Sequence, residues 1–130
     1  MNTAVILVTH GNAGAEMIAA AAEKIGAPVS DIAAVGVHID EPPADIQHRI
    51  EDAVALMHAE EFVFLVDLGG STPFNLCCKS CGRHSVVVSG VNLAMLFKLS
   101  TVDRSIGARR LAEELVATGT KSIGLRENQT

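Results

Sequence analysis

Two uninterrupted apolar runs restrict the folds open to this chain. Ala4-Val5-Ile6-Leu7-Val8-Thr9 and Phe62-Val63-Phe64-Leu65-Val66 lack the period-two alternation of a strand with one wet face. Continuous runs of this length suit strands buried on both faces, which is the condition of a parallel sheet covered by helices. Between them the period changes. Residues 14–25 are Ala-rich, with Glu16 early, Lys24 late and Gly26 as a stop, and predict a helix. Ile32 to Ile39 predicts a second strand. Pro42-Pro43 then opens a helix over 45–59, where Ile46, Ile50, Val54 and Met57 recur at helical spacing.

The second half continues the alternation. A short helix is expected over 74–81, ended by Gly82, then a strand over Ser85 to Ser89. Helices are expected over Asn92 to Ser100 and Asp103 to Ala117, the latter stopped by Gly119. Lys121 to Leu125 is expected as a short last strand, and Glu127 to Thr130 as a frayed tail. The order β-α-β-α-β-α-β-α-(α)-β implies a three-layer α/β sandwich with a mostly parallel four- to five-stranded sheet and helices on both faces. The 130 residues suffice for one domain, 1–130, with a real core.

Composition removes several functions. Four Phe and no Trp or Tyr argue against a stacking platform for bases. The net charge of −5, with no Lys/Arg cluster, argues against nucleic acid. No apolar segment reaches a membrane span, and no basic N-terminal stretch marks a signal peptide, so no direct membrane insertion is expected. Cys77, Cys78 and Cys81 are odd in number and adjacent, as free thiols in a reducing cytoplasm would be. At i, i+1 and i+4 on a helix they cannot all face one ion, so neither metal nor cofactor is expected and the thiols are expected to pack as small hydrophobes. His38, His48, His58 and His84 share no spacing and are expected as surface or capping residues.

Chemistry concentrates at two strand ends. His10-Gly11 closes the first run, and Asp67-Leu68-Gly69-Gly70-Ser71-Thr72-Pro73-Phe74-Asn75 follows the third. Carboxyl ends of parallel strands share one edge, so Asp67 can meet His10 there. A carboxylate accepting Nδ1–H leaves Nε2 as an outward lone pair able to attack a phosphoryl group. Gly11, Gly69, Gly70, Ser71 and Thr72 are the candidate phosphoryl-binding residues, through turned backbone N–H groups, hydroxyls and a helix start near Phe74. Ser89-Gly90-Val91-Asn92 adds a lip at the same edge. A shallow, exposed His10 edged by Phe74, Leu68 or Met95 is expected. His10, Asp67 and Ser71 are also the residue types of a hydrolase triad, but Gly69-Gly70-Ser71-Thr72-Pro73 is no nucleophile elbow. A closed cavity beside His10 would instead favour small-ligand binding.

Val8-Thr9-His10-Gly11, the Asp67–Asn75 loop and Ser89-Gly90-Val91-Asn92-Leu93 resemble the EIIA component of the mannose family of the bacterial phosphotransferase system (PTS) over nearly the whole chain. The resemblance implies a cytoplasmic phosphoryl carrier: His10 accepts a phosphoryl group from HPr and passes it to an EIIB protein or domain in sugar uptake, and Asp67 orients the ring. It also implies a homodimer that exchanges an edge strand, here Lys121 to Leu125. The family's loop has Gly-Gly one place later, so Thr72 aligns with its usual hydroxyl, Ser71 replaces a glycine, and both stay candidates. The DhaM phosphotransfer subunit of dihydroxyacetone kinase is similar at its first strand, but its second loop lacks Pro-Phe-Asn. A regulatory module signalling through His10 phosphorylation without transport would need the same site.

Overall fold

The computed structural model describes residues 2–80 and 84–129, and in it the alternation becomes an α/β sandwich. The strands are β1 (Ala4–His10), β2 (Ile32–Val37), β3 (Phe62–Val66) and β4 (Ser85–Ser89). The helices are α1 (Ala13–Ile25), α2 (Pro43–Leu56), α3 (Thr72–Ser80), α4 (Leu93–Leu99) and α5 (Ala108–Lys121), with a 3-10 turn at Arg104–Ile106 before the last. All three strand pairings are parallel and the sheet order is β2-β1-β3-β4. Four parallel strands meet the expected architecture.

Residues alternate between two cores. Val5, Leu7, Val63, Leu65 and Val88 face α1, α4 and α5, whose Ala21, Leu96, Leu99, Leu111 and Leu115 close that side. Ala4, Ile6, Val8, Phe62, Phe64 and Val66 face α2 and α3, where Ile46, Ile50, Leu76 and Cys77 are buried. Both faces of β1 and β3 are therefore dry, which explains their unbroken apolar runs. Burying one such side chain stabilises by about 1.5–3 kcal/mol.

Side chains cap the starts of α1, α4 and α5. The Thr9 hydroxyl accepts the Gly14 N–H at 2.8 Å, tying α1 to the end of β1. At Gly14 a Cβ would stand 3.1 Å from both Leu7 Cβ and Thr9 Oγ1, so α1 approaches the strand closely only because that position is bare. Glu61 accepts the Ala108 N–H at 2.9 Å and caps α5. Asn92 caps α4 by accepting the Met95 N–H at 3.3 Å.

The C-terminal third departs from expectation. Gly119 does not stop the last helix. It lies buried inside α5, where a Cβ would come within 2.5 Å of Met95 Cε, so a bare position lets α5 pack onto α4. Lys121 to Leu125 is not a strand: α5 runs to Lys121, and residues 123–129 have no regular structure. Among the described residues this segment pairs with no strand of the sheet. Asp103 starts a 3-10 turn, its carboxylate accepting the Ser105 N–H at 2.9 Å, rather than α5 itself. α3 opens at Thr72, two residues early, and its expected end at Gly82 lies outside the described residues, as does Cys81. Cys77 is buried as expected, whereas Cys78 is exposed. Among the described residues no helix is long and apolar enough to cross a membrane.

Candidate functional site

The sheet order places β1 beside β3, and the chain reaches its two outer strands in opposite directions from this pair. That is a topological switch point, where the connections diverge and leave a crevice at the carboxyl ends. His10 and Asp67 are the residues that leave those two strands.

They meet directly. His10 Nδ1 stands 3.0 Å from Asp67 Oδ2 and 3.2 Å from Oδ1. The His10 backbone N–H donates to Oδ2 at 2.9 Å, and the Leu68 N–H donates to Oδ1 at 3.0 Å. Asp67 is thus held by two main-chain donors while it holds the ring. Burial opposes its ionisation, but the hydrogen bonds from the His10 backbone and ring outweigh burial and leave the carboxyl below its ordinary value. An ionised Asp67 accepts Nδ1–H and leaves Nε2 as the lone-pair nitrogen. The imidazole is half exposed, at 51% of its side-chain area, against 20% for Asp67.

The backbone under His10 is fixed by close approach. Gly11 has φ of +55° and donates its N–H to Val37 O at 2.8 Å. A Cβ on Gly36 of β2 would sit 2.3 Å from Gly11 O, so only glycine lets the turn lie on the sheet. The Gly11 N–H is therefore spent on Val37 and is not a donor for a bound anion, contrary to its expected role.

Ser71 and Thr72 separate clearly. The Ser71 hydroxyl donates to Leu68 O at 2.6 Å and accepts the Phe74 N–H at 3.3 Å, so it closes the loop and caps α3. Thr72 lines a groove beside His10. Among the described residues neither Gly69 nor Gly70 gives its N–H to a backbone carbonyl, and Gly70 has φ of +74°.

The groove is about 560 Å³, walled by Val37, His38, Ile39 and Glu41 on one side and by Thr72 and Pro73 on the other. Its apolar rim differs from the expected one. Leu68 is 60% exposed and Ile39 is 99% exposed, but Met95 is buried under α5 and Phe74 is half-buried against the α2/α3 core. With His10 half exposed, the groove is not the closed cavity a small-ligand domain would need. Two features had no visible signal in the sequence. His38 looked like an isolated surface residue, yet it lines this groove. Glu41 and Arg49, eight positions apart, form an ion pair in which Arg49 Nε donates to Glu41 Oε2 at 2.8 Å and Arg49 Nη2 donates to Gly36 O. The Arg49 hydrogen bond, with a smaller one from the His38 N–H, holds the Glu41 carboxyl below its ordinary range against some desolvation. Among the described residues no cluster of three His, Cys, Asp or Glu side chains stands ready for a metal.

A family profile described as "PTS system fructose IIA component" matches residues 4–116, spanning every strand and most of α5. The chain belongs to this family. Its mannose-type IIA fold is shared with solved structures. A mannose/sorbose-specific IIA subunit from Enterococcus faecalis superposes with a TM-score of 0.86 at 24% identity, covering 100% of this chain and 98% of that one. A PTS IIA protein associated with a fucose utilization operon in Streptococcus pneumoniae gives 0.79 at 22% identity, covering 96% and 93%. An EIIA component from Streptococcus agalactiae gives 0.81 at 20% identity, covering 94% and 95%. No curated protein matches the sequence. At these identities the structures establish the mannose-type IIA fold, and the family profile establishes a phosphotransferase-system component.

Proposed function

We propose that this IIA domain is a cytoplasmic phosphoryl carrier that takes a phosphoryl group from HPr onto His10 and passes it to an EIIB partner. The observation that carries the reading is the Asp67 carboxylate 3.0 Å from His10 Nδ1 beneath a half-exposed ring. The Nε2 lone pair attacks phosphorus of the donor phosphohistidine. The new N–P bond forms on His10 as the donor N–P bond breaks, and the electron pair returns to the donor imidazole. The second transfer repeats the step with His10 as the leaving group. Asp67 keeps Nδ1–H in place and offsets the positive charge that develops on the ring. The Gly69 and Gly70 N–H groups and the Thr72 hydroxyl at the start of α3 offer donors to the phosphoryl oxygens. Ser71 acts through the loop it closes, and Thr72 is the hydroxyl with access to the groove. A protein donor and a protein acceptor both need an open edge, which the half-exposed ring supplies.

The decisive experiment incubates the chain with phosphoenolpyruvate, enzyme I and HPr and weighs the intact protein. One acid-labile phosphoryl adduct is expected, and His10→Ala is expected to abolish it. An adduct that survives this change overturns the assignment.

The reading extends to a homodimer. Among the described residues β4 is the edge strand next to β3, and a groove of about 640 Å³ lies along it between Val86, Val88, Ala112 and Val116. Beyond α5, Ile123 and Leu125 are 77% and 96% exposed. An apolar groove along the edge strand, together with an exposed apolar tail, supports exchange of the tail between two copies. Ile123→Asp with Leu125→Asp is expected to halve the mass seen by light scattering, and a wild-type monomer at all concentrations refutes the dimer.

A further inference from the structure

A phosphoryl group on His10 brings about −2 of charge to a site that already holds ionised Asp67. The proposed carrier therefore needs donors or positive charge facing that group, and several candidates are already committed. Ser71 is tied to Leu68 and Phe74. The Gly11 N–H is tied to Val37. Arg49 is tied to Glu41 and Gly36.

Beyond the Gly69 and Gly70 N–H groups and the Thr72 hydroxyl, His38 is the uncommitted side chain that can bring positive charge. It lines the same groove as His10 and Thr72. Its backbone is not loose, because its N–H donates to Glu41 Oε1 at 3.2 Å, and Glu41 is itself clamped by Arg49. The acids around it are either paired or open to water. Glu41, the acid closest to it, has its charge taken up by the Arg49 guanidinium. Asp67 reaches the groove only through His10. Asp40 on the same loop and Asp45 on α2 are exposed. α3 lends the groove wall only Thr72 and Pro73. Among the described residues lining the groove, His38 is the one side chain besides His10 that can carry positive charge.

The geometry points to His38 as a phosphoryl-binding residue: its ring N–H donates to an oxygen of the phosphoryl group carried by His10. In its charged form it adds a charge-assisted hydrogen bond, so transfer gains a dependence on His38 protonation. The inference rests on His10 as the acceptor.

Potassium phosphoramidate, a small phosphoryl donor, tests it without partner proteins. Ring signals of His38 are followed by NMR across pH, before and after labelling of the full chain. Phosphorylation of His10 is expected to raise the His38 titration midpoint by at least about half a pH unit. With HPr as donor, His38→Phe is expected to slow labelling about 3- to 10-fold and to flatten its change between about pH 6 and 8. His38→Gln is expected to recover part of the rate but not the pH dependence. A midpoint that stays fixed while wild-type His10 is labelled overturns this inference alone. Absence of a phosphoryl group on wild-type His10 overturns it together with the carrier function.

Discussion

At the amino end of the sheet, Arg104 is 6% exposed and spends its guanidinium on backbone carbonyls. Nη1 donates to Thr3 O and Asp31 O at 3.2 Å each, and Nη2 to Ser30 O at 2.7 Å. At the carboxyl end, His10 spends only one of its two ring nitrogens and keeps half its surface in water. Both clusters join segments far apart in sequence. The first faces inward throughout, with only Nε left without a partner among the described residues: burial lowers the Arg104 pKa, a nearby Asp31 opposes this, and the planar fork ties the start of β1 and the loop before β2 to the 3-10 turn. The second is left incomplete on its outer side. A polar group whose partners are all internal stabilises the fold, whereas one held on a single side is free to meet a substrate.

The contrast breaks most visibly if the closed end is opened. Arg104→Ala leaves three carbonyls facing a void and is expected to cost about 2–4 kcal/mol in urea unfolding. Labelling of the remaining folded protein should be unchanged; a selective loss of labelling would erase the distinction between the two ends. Asp67→Asn is expected to do the reverse. It should slow phosphorylation of His10 about 10- to 100-fold, measured by quenched-flow mass analysis, with little change in melting temperature.

Gly36→Ala sharpens the boundary between the two roles. Its Cβ would meet Gly11 O, so the β1 turn must shift, at about 1–3 kcal/mol and with slower labelling together. A variant stable as wild type but slow would make Gly36 a pure positioning residue. The smallest effect is acidic. Asp67 is held below its ordinary value of 3.8, so its share of stability is present above that pH and is lost as pH falls through the lower folded value. Asp67→Asn should therefore flatten the acid limb of stability by circular dichroism, only modestly because the carboxylate is partly wet.

The site was only partly legible in the sequence. His10 and Asp67 stood out because each directly follows an uninterrupted apolar strand, and parallel pairing then brings such ends together. Ser71 and Thr72 were adjacent hydroxyls of equal standing until the loop turned one back onto Leu68 and Phe74. His38 carried no local signal, since its place in the groove comes from β2 lying beside β1. Gly119 read as a helix stop because glycine usually is one; here packing against Met95 outweighed that tendency.

Local chemistry along the chain therefore determined the four strands and the helices between them, the parallel sheet and the two residues at its switch point. Periodicity and strand-end identity need only near neighbours to act. The tertiary structure decided which donors remain for an anion, which residues wall the groove and where the last helix ends. Those outcomes depend on contacts between segments tens of residues apart, and no local pattern encodes them.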